Sequence, residues 1–226
     1  MKSATRSAGS PFLTSDEGPF KFVTGGLAKR SFDITAAALA LILFSPIFLM
    51  IMALIKCTDS GSAFYGHRRV GHNGRYFHCL KFRTMVTDGD RVLRDYLMAN
   101  PQAAEEWRMT RKLRFDPRVT AVGSVLRKLS LDELPQLINI LRGDMSVVGP
   151  RPVVDEELGL YDSHASFYLR TRPGLTGLWQ ISGRNDVSYE ARIAFDTHYV
   201  QNWSFIRDIL IIVRTIPAVC FSRGSY

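Results

Sequence analysis

The longest hydrophobic pattern is a run from Ile34 to Ile55, ITAAALALILFSPIFLMIMALI, 22 residues without a charge. As a straight helix it would measure about 33 Å, the thickness of a bilayer core. A single spanning helix is therefore one reading of its length. Ser45 and Pro46 stand at its midpoint, and a proline there removes a backbone donor and crowds the preceding turn. The pattern thus predicts a helix-break-helix over residues 28–57, interrupted at Ser45-Pro46. Lys29 and Arg30 precede the run, and Lys56, Arg68 and Arg69 follow it, so loop charge gives no direction of crossing. A re-entrant hairpin that enters and leaves by one face satisfies both flanks. Residues 1–27, rich in Ser, Gly and Thr, read as a loose tail, and residues 58–226 as a cytoplasmic domain.

Shorter patterns fill that domain. RYFHCLKFRTM alternates large apolar and basic residues, the period of a strand with one basic face carrying Lys81 and Arg83. EEWRMTRKLR reads as an interfacial amphipathic helix with Trp107, Met109 and Leu113 toward the membrane. In LSLDELPQLINIL, Leu131, Leu134, Ile138 and Leu141 form a helical stripe. SVVG, at 146–149, reads as a short strand, and SFIRDILIIVRTIPAVCF as a helix capped by Ser204 and stopped by Pro217. The fold class expected is α+β, mixed α/β: a small sheet from about residues 64–86 and 144–180 with helices around it.

Charge narrows the partners. The chain has 226 residues and a net charge of +8. That suits anionic lipid, phosphorylated substrates or nucleic acid. No RNA- or DNA-binding signature accompanies it, so nucleic acid is not expected as a partner. Cys57, Cys79 and Cys220 form neither a disulfide framework nor a zinc motif. The histidines His67, His72 and His78 lack metal-ligand spacing with acids and are expected at the surface.

Against this basic background the adjacent acids Asp132 and Glu133 stand out. Ser130-x-x-Glu133 fits a capping box, which would make both acids ordinary helix-start residues. Pro135 disturbs that reading, because it fits best at a helix start. Either the helix begins after the acids or it is distorted. In both cases the acids lie near a helix N-terminus that favours phosphate. Neighbouring helical residues point about 100° apart, so the two carboxylates suit different tasks. Downstream, prolines on both sides of Arg151 preorganise it for phosphate. Arg172 in RPG and Arg184 in GRN, within a glycine-rich stretch, are further diphosphate candidates. Asp88-Gly89-Asp90 is a D-x-D that could hold a metal and a nucleotide sugar, although it is also a common turn. Two alternatives thus stand beside a transferase: a membrane-attached D-x-D glycosyltransferase and a non-catalytic adaptor on anionic lipid.

Four ordered motifs, KRSFDITAAALALILFSP, KFRTM, LSLDELPQLINILRGDMSVVGPRP and RPGLTGLWQISGRN, resemble the bacterial sugar transferases, the monotopic phosphoglycosyl transferases. The resemblance runs from about Lys29 to the C-terminus. It implies transfer of a hexose 1-phosphate from a UDP-sugar to undecaprenyl phosphate with release of UMP and with Mg²⁺ as cofactor. It implies Asp132 as the nucleophile that forms an aspartyl-phosphosugar, Glu133 as a metal ligand, and Arg127, Arg151, Arg184 and Asp208 around the nucleotide diphosphate or the metal. The re-entrant helix and the cytoplasmic face of a bacterial inner membrane follow from the same likeness. A homodimer is the oligomer expected, if one forms; neither that nor the hexose is written in the residues.

Overall fold

The computed structural model describes residues 23–182 and 187–220. The expected tail, apart from its last five residues, and Arg184 lie outside the described residues. The chain divides into two compact units. One comprises the described residues up to Ile42 with Gly66–Cys79 and Gln136–Ala218, and the other comprises Leu43–Tyr65 and Leu80–Pro135 with the described residues from Val219 on.

Helix α1 spans Gly26–Thr58, with Pro46 inside it. The backbone runs as helix through the position where an interruption was expected. A proline removes one bond of the ladder, at about 3 kcal/mol, and a long run of strong helix formers can absorb that loss. The division between the units nevertheless falls at Ile42/Leu43, at the carbonyl that the proline cannot bond. α1 is the one helix among the described residues long and apolar enough to cross a membrane. Its best 18-residue window has a mean hydropathy of 2.7 and is only 11% buried. Leu39, Ile42, Leu43 and Leu49 are all exposed. Apolar surface on this scale suits a lipid environment.

The second unit carries the end of α1, the outer part of a hairpin, and helices α2 (Gly89–Ala99), α3 (Pro101–Thr110) and α4 (Ala121–Lys128). The hairpin joins β1 (Phe64–Val70) and β2 (Tyr76–Phe82), and β2 is the strand that the alternating pattern predicted. Ile51, Ile55, Ala63, Phe82 and Leu126 form this unit's core, with Phe48, Phe64, Leu131 and Leu134 packed against it. Gly123 lets α4 lie against the Thr84 backbone, where any Cβ would overlap the Thr84 carbonyl. α3 is shorter than the sequence suggested. It ends at Arg111, which adopts φ 54°, so Leu113 falls outside the helix.

The first unit holds α5 (Gln136–Arg142), β3 (Ser146–Val148), α6 (Asp155–Gly159), α7 (Ala165–Leu169), β4 (Gly174–Thr176), α8 (Leu178–Ile181), α9 (Tyr189–Gln201) and α10 (Phe205–Cys220). The expected single sheet is, among the described residues, two separate pairs of strands, with β3 pairing with β4 in parallel: Ser146 opposite Gly174 and Val148 opposite Thr176. Gly149 and Gly174 make this crossing possible, since a Cβ on either would overlap the other's backbone. The glycines of VVG and RPG thus serve strand packing. Tyr168 is fully buried and ties the layers together: its hydroxyl donates to Val70 O at 2.7 Å and accepts from Val153 N at 3.2 Å. Ser204 caps α10, accepting from Arg207 N at 3.3 Å, but the helix continues past Pro217, so that proline is not its stop.

Candidate active site

The acids Asp132 and Glu133 lie in a 3₁₀ turn, Leu131–Glu133, between α4 and the start of α5. The chain reverses sharply to make it. Ser130 takes a left-handed conformation, φ 55°, and its side chain caps nothing. The expected capping box is therefore absent. Pro135 is the reason: it cannot donate within a helix, so α5 starts only at Gln136 and the acids precede it. The late start also resets the helical phase. Leu137 and Ile140 are buried, whereas Leu141, placed in the expected stripe, is exposed. A non-glycine residue at positive φ carries strain, and here it sits two residues before the buried acid.

Lys81, projecting from β2, meets both acids. Its Nζ lies 2.7 Å from Glu133 Oε1 and 3.5 Å from Asp132 Oδ2. Asp132 is 9% exposed. Burial pushes its carboxyl above the usual range, Lys81 and Arg127 pull it back down, and Glu133 adds to the rise. The cations therefore oppose burial and favour the ionised form that a nucleophile needs. Arg127, on the last turn of α4, is aimed by its neighbour: its Nε donates to Thr84 Oγ1 at 2.9 Å. The Thr84 carbonyl in turn accepts from Thr120 N at 3.0 Å, and Thr120 Oγ1 caps α4 through Gly123 N. Thr84 thus fixes both the start of α4 and the arginine at its end. Sequence reasoning missed it, and its place in KFRTM was the available signal.

The remaining candidates lie elsewhere. Arg83 donates Nε to Ser62 O at 2.6 Å and bonds the loop before β1. Arg151 is exposed in the other unit, beside a cleft lined by Tyr161, Trp179, Tyr189, Arg192 and Asp196. Asp208 is 1% exposed, and its oxygens accept from Lys29, Tyr199 and Trp203. Arg172 donates to Gly143 O. His67 and His78 are exposed as expected, but His72 is partly buried, and burial, then Arg172 and Arg75, push it down to about 4. Asp88-Gly89-Asp90 is the exposed start of α2, with Asp88 paired to Arg91 at 3.0 Å. That is helix-start geometry, and it speaks against a D-x-D metal site.

Asp132 and Glu133 offer the oxygen donors that a hard divalent cation takes, although Lys81 meets one oxygen of each and would have to share or yield it. Among the described residues no three His, Cys, Asp or Glu side chains form a cage. Mg²⁺ does not require one, since it is commonly held by one or two carboxylates and substrate phosphates.

Residues 24–222 match the model of the bacterial sugar transferase family. The exopolysaccharide production protein ExoY of Rhizobium meliloti is 70% identical over 226 residues, the whole of both chains. The undecaprenyl-phosphate galactose phosphotransferase of Salmonella typhimurium is 51% identical over 199 residues, 88% of this chain and 41% of that longer one. The UDP-glucose:undecaprenyl-phosphate glucose-1-phosphate transferase of Caulobacter vibrioides is 39% identical over 217 residues, 92% of this chain and 76% of that one. With its acid dyad set in a strained turn against Lys81, the chain belongs to the bacterial sugar transferase family and is a phosphoglycosyl transferase.

Proposed function

We propose that the enzyme transfers galactose 1-phosphate from UDP-galactose to undecaprenyl phosphate, releasing UMP, as the first step of an exopolysaccharide repeat unit. The observation that carries this is the buried carboxylate of Asp132 between Lys81 and Arg127, beside a second acid. In the first half-reaction an Asp132 oxygen attacks the sugar-bearing phosphorus, and the bond to the bridging oxygen breaks. UMP leaves with that oxygen. In the second, an oxygen of undecaprenyl phosphate attacks the same phosphorus, and Asp132 leaves as carboxylate. A carboxylate nucleophile divides one transfer into two displacements. Neutralising charge matters more than proton transfer in such chemistry. Mg²⁺, held by Glu133 and the diphosphate, would offset negative charge as the anions meet. Lys81 and Arg127 orient and polarise the same group, and Arg151 and Arg184 are assigned to the nucleotide. Relatives named for galactose transfer, at 51% identity, favour that sugar over the glucose of the 39% relative.

Membrane attachment follows from α1. Basic residues on both flanks favour a re-entrant course, with both ends at the cytoplasmic face of the inner membrane. Labelling of a cysteine placed near residue 10 from outside intact cells would refute that course.

The test of the chemistry omits the lipid. Radiolabelled UDP-galactose alone should release UMP in a burst and label the peptide containing Asp132. UMP release only when both substrates are present, with no label, would return Asp132 to another role.

A further inference from the structure

Arg30 and Arg172 meet at one turn in the unit that does not contain the dyad, and His72 of the same unit is within electrostatic reach of Arg172 and Arg75. Arg30 lies just before the uncharged run that begins at Ile34. Its Nη1 donates to Ile140 O at 2.6 Å and its Nη2 to Leu141 O at 2.9 Å. Arg172 donates Nε to Gly143 O at 2.8 Å. Gly143, at φ +91°, stands against Arg30: a Cβ there would lie 3.5 Å from Nη2. Two guanidinium groups therefore converge on the turn after α5. The carbonyls at that helix end carry partial negative charge and offset part of the repulsion. Capping the helix needs only one cation, however.

The surplus is the informative part. Burial and then Arg30 lower the pKa of Arg172, which places the two cations within electrostatic reach. Arg172 and Arg75 act on His72 in the same way. His72 Nε2 is buried and has no hydrogen-bond partner among the described residues. Among those residues no carboxylate forms an ion pair with Arg30, Arg75 or Arg172. The acid that acts on Arg172 is Asp33, and its Oδ1 is already taken by Ser146 Oγ and Val147 N, both at 3.0 Å. Asp33 thus acts on Arg172 from a distance, and among the described residues no carboxylate pairs directly with the cluster.

We propose that Arg30, Arg75, Arg172 and His72 bind the phosphate group of a membrane lipid. Guanidinium forks match phosphate oxygens in geometry and charge, and Arg30 and Arg172 each retain donors beyond those named. A lipid is favoured over a nucleotide because Arg30 stands at the polar end of an apolar helix, the level of a headgroup. One chemistry has two sources here: the phosphomonoester of the polyprenyl acceptor and the phosphodiester of a bilayer phospholipid. The first source rests on the function proposed above; the second does not.

The experiment uses the full chain in phosphatidylcholine nanodiscs without UDP-sugar. Binding of radiolabelled undecaprenyl phosphate is compared with that of undecaprenol. Arg75→Gln and Arg172→Lys should each weaken undecaprenyl phosphate binding about tenfold, as loss of one charged hydrogen bond predicts, and leave undecaprenol unchanged. If the occupant is instead a headgroup, adding phosphatidylglycerol should raise the melting temperature of the wild type, and the variants should lose that gain. Arg75 is exposed and its side chain caps no helix, so Arg75→Gln remains informative if Arg172→Lys fails to fold. Folded variants that match the wild type in both measurements would overturn the proposal. The UMP burst of the wild-type enzyme needs no lipid, so the aspartyl mechanism and this site can fail separately.

Discussion

Two lysine–aspartate pairs divide the labour of this chain. Lys29 and Asp208 meet at 2.6 Å with side chains 4% and 1% exposed. Tyr199 adds a hydrogen bond at 2.7 Å and Trp203 another at 3.1 Å. Lys81 and Asp132 meet at 3.5 Å, and Lys81 stays 32% exposed. The first pair is sealed and saturated. Its carboxylate has no oxygen to offer, and it ties α1 to α9 and α10. The second pair is open, its lysine is shared with Glu133, and its turn is strained. The same two residue types serve structure where both carboxylate oxygens are engaged out of reach of water, and chemistry where solvent and substrate can still enter.

The largest expected effect breaks the reactive pair. Asp132→Asn should lower UMP release by about 10⁴-fold or more, as loss of a nucleophile does, with the melting temperature nearly unchanged. Next, Asp208→Ala should break the sealed pair and cost about 3–5 kcal/mol, because it leaves Lys29 buried and uncompensated. Thermal unfolding in detergent reads this, and the double change Lys29→Met with Asp208→Leu should recover most of the loss. Thr84→Val should then loosen the aim of Arg127 and reduce kcat/KM about tenfold without unfolding the protein, since it removes one hydrogen bond to a charged group.

The pairs also differ in what pH does to the unit that holds them. Asp132 has a raised pKa, and attack needs its ionised form, so activity should fall as pH drops through that raised value. Lys81 holds the pKa down, so Lys81→Met should move the acid limb of the pH–rate profile to higher pH, by about one unit. A further effect concerns Asp196, in the same unit as the sealed pair. Burial pushes it up to about 7, well above the usual carboxylate range. The folded state therefore binds this proton more tightly than the unfolded state, and stability should fall as pH rises from about 4 to 7, then level off. Asp196→Asn should flatten the denaturant-midpoint profile across that window.

Much of this was legible in the residues, for local reasons. Alternation in RYFHCLKF gave β2, and SVV gave β3, because side-chain period follows backbone geometry wherever one face is buried. Pro135 implied that the acids precede their helix, since a missing N–H is a local fact. The capping box was misread because S-x-x-E describes side chains that can bond only if Ser130 is extended, and the turn holds it left-handed. His72 was read as a surface residue, but the fold partly buries it and brings it within electrostatic reach of Arg172, a hundred positions away. The glycine-rich stretch around β4 was read as a setting for diphosphate-binding arginines, whereas its Gly174 serves close packing against Gly149.

The sequence by itself determined the apolar helix, its basic flanks, the acid dyad and the family motifs, because each is written in residue type and spacing. Tertiary structure alone decided that Lys81 serves the dyad while Lys29 seals Asp208, that Thr84 aims Arg127, and that Arg30 and Arg172 converge on one turn. Such pairings join residues far apart in the chain, and burial chooses between them: a charge removed from water must find its partner in space, wherever the fold has placed it.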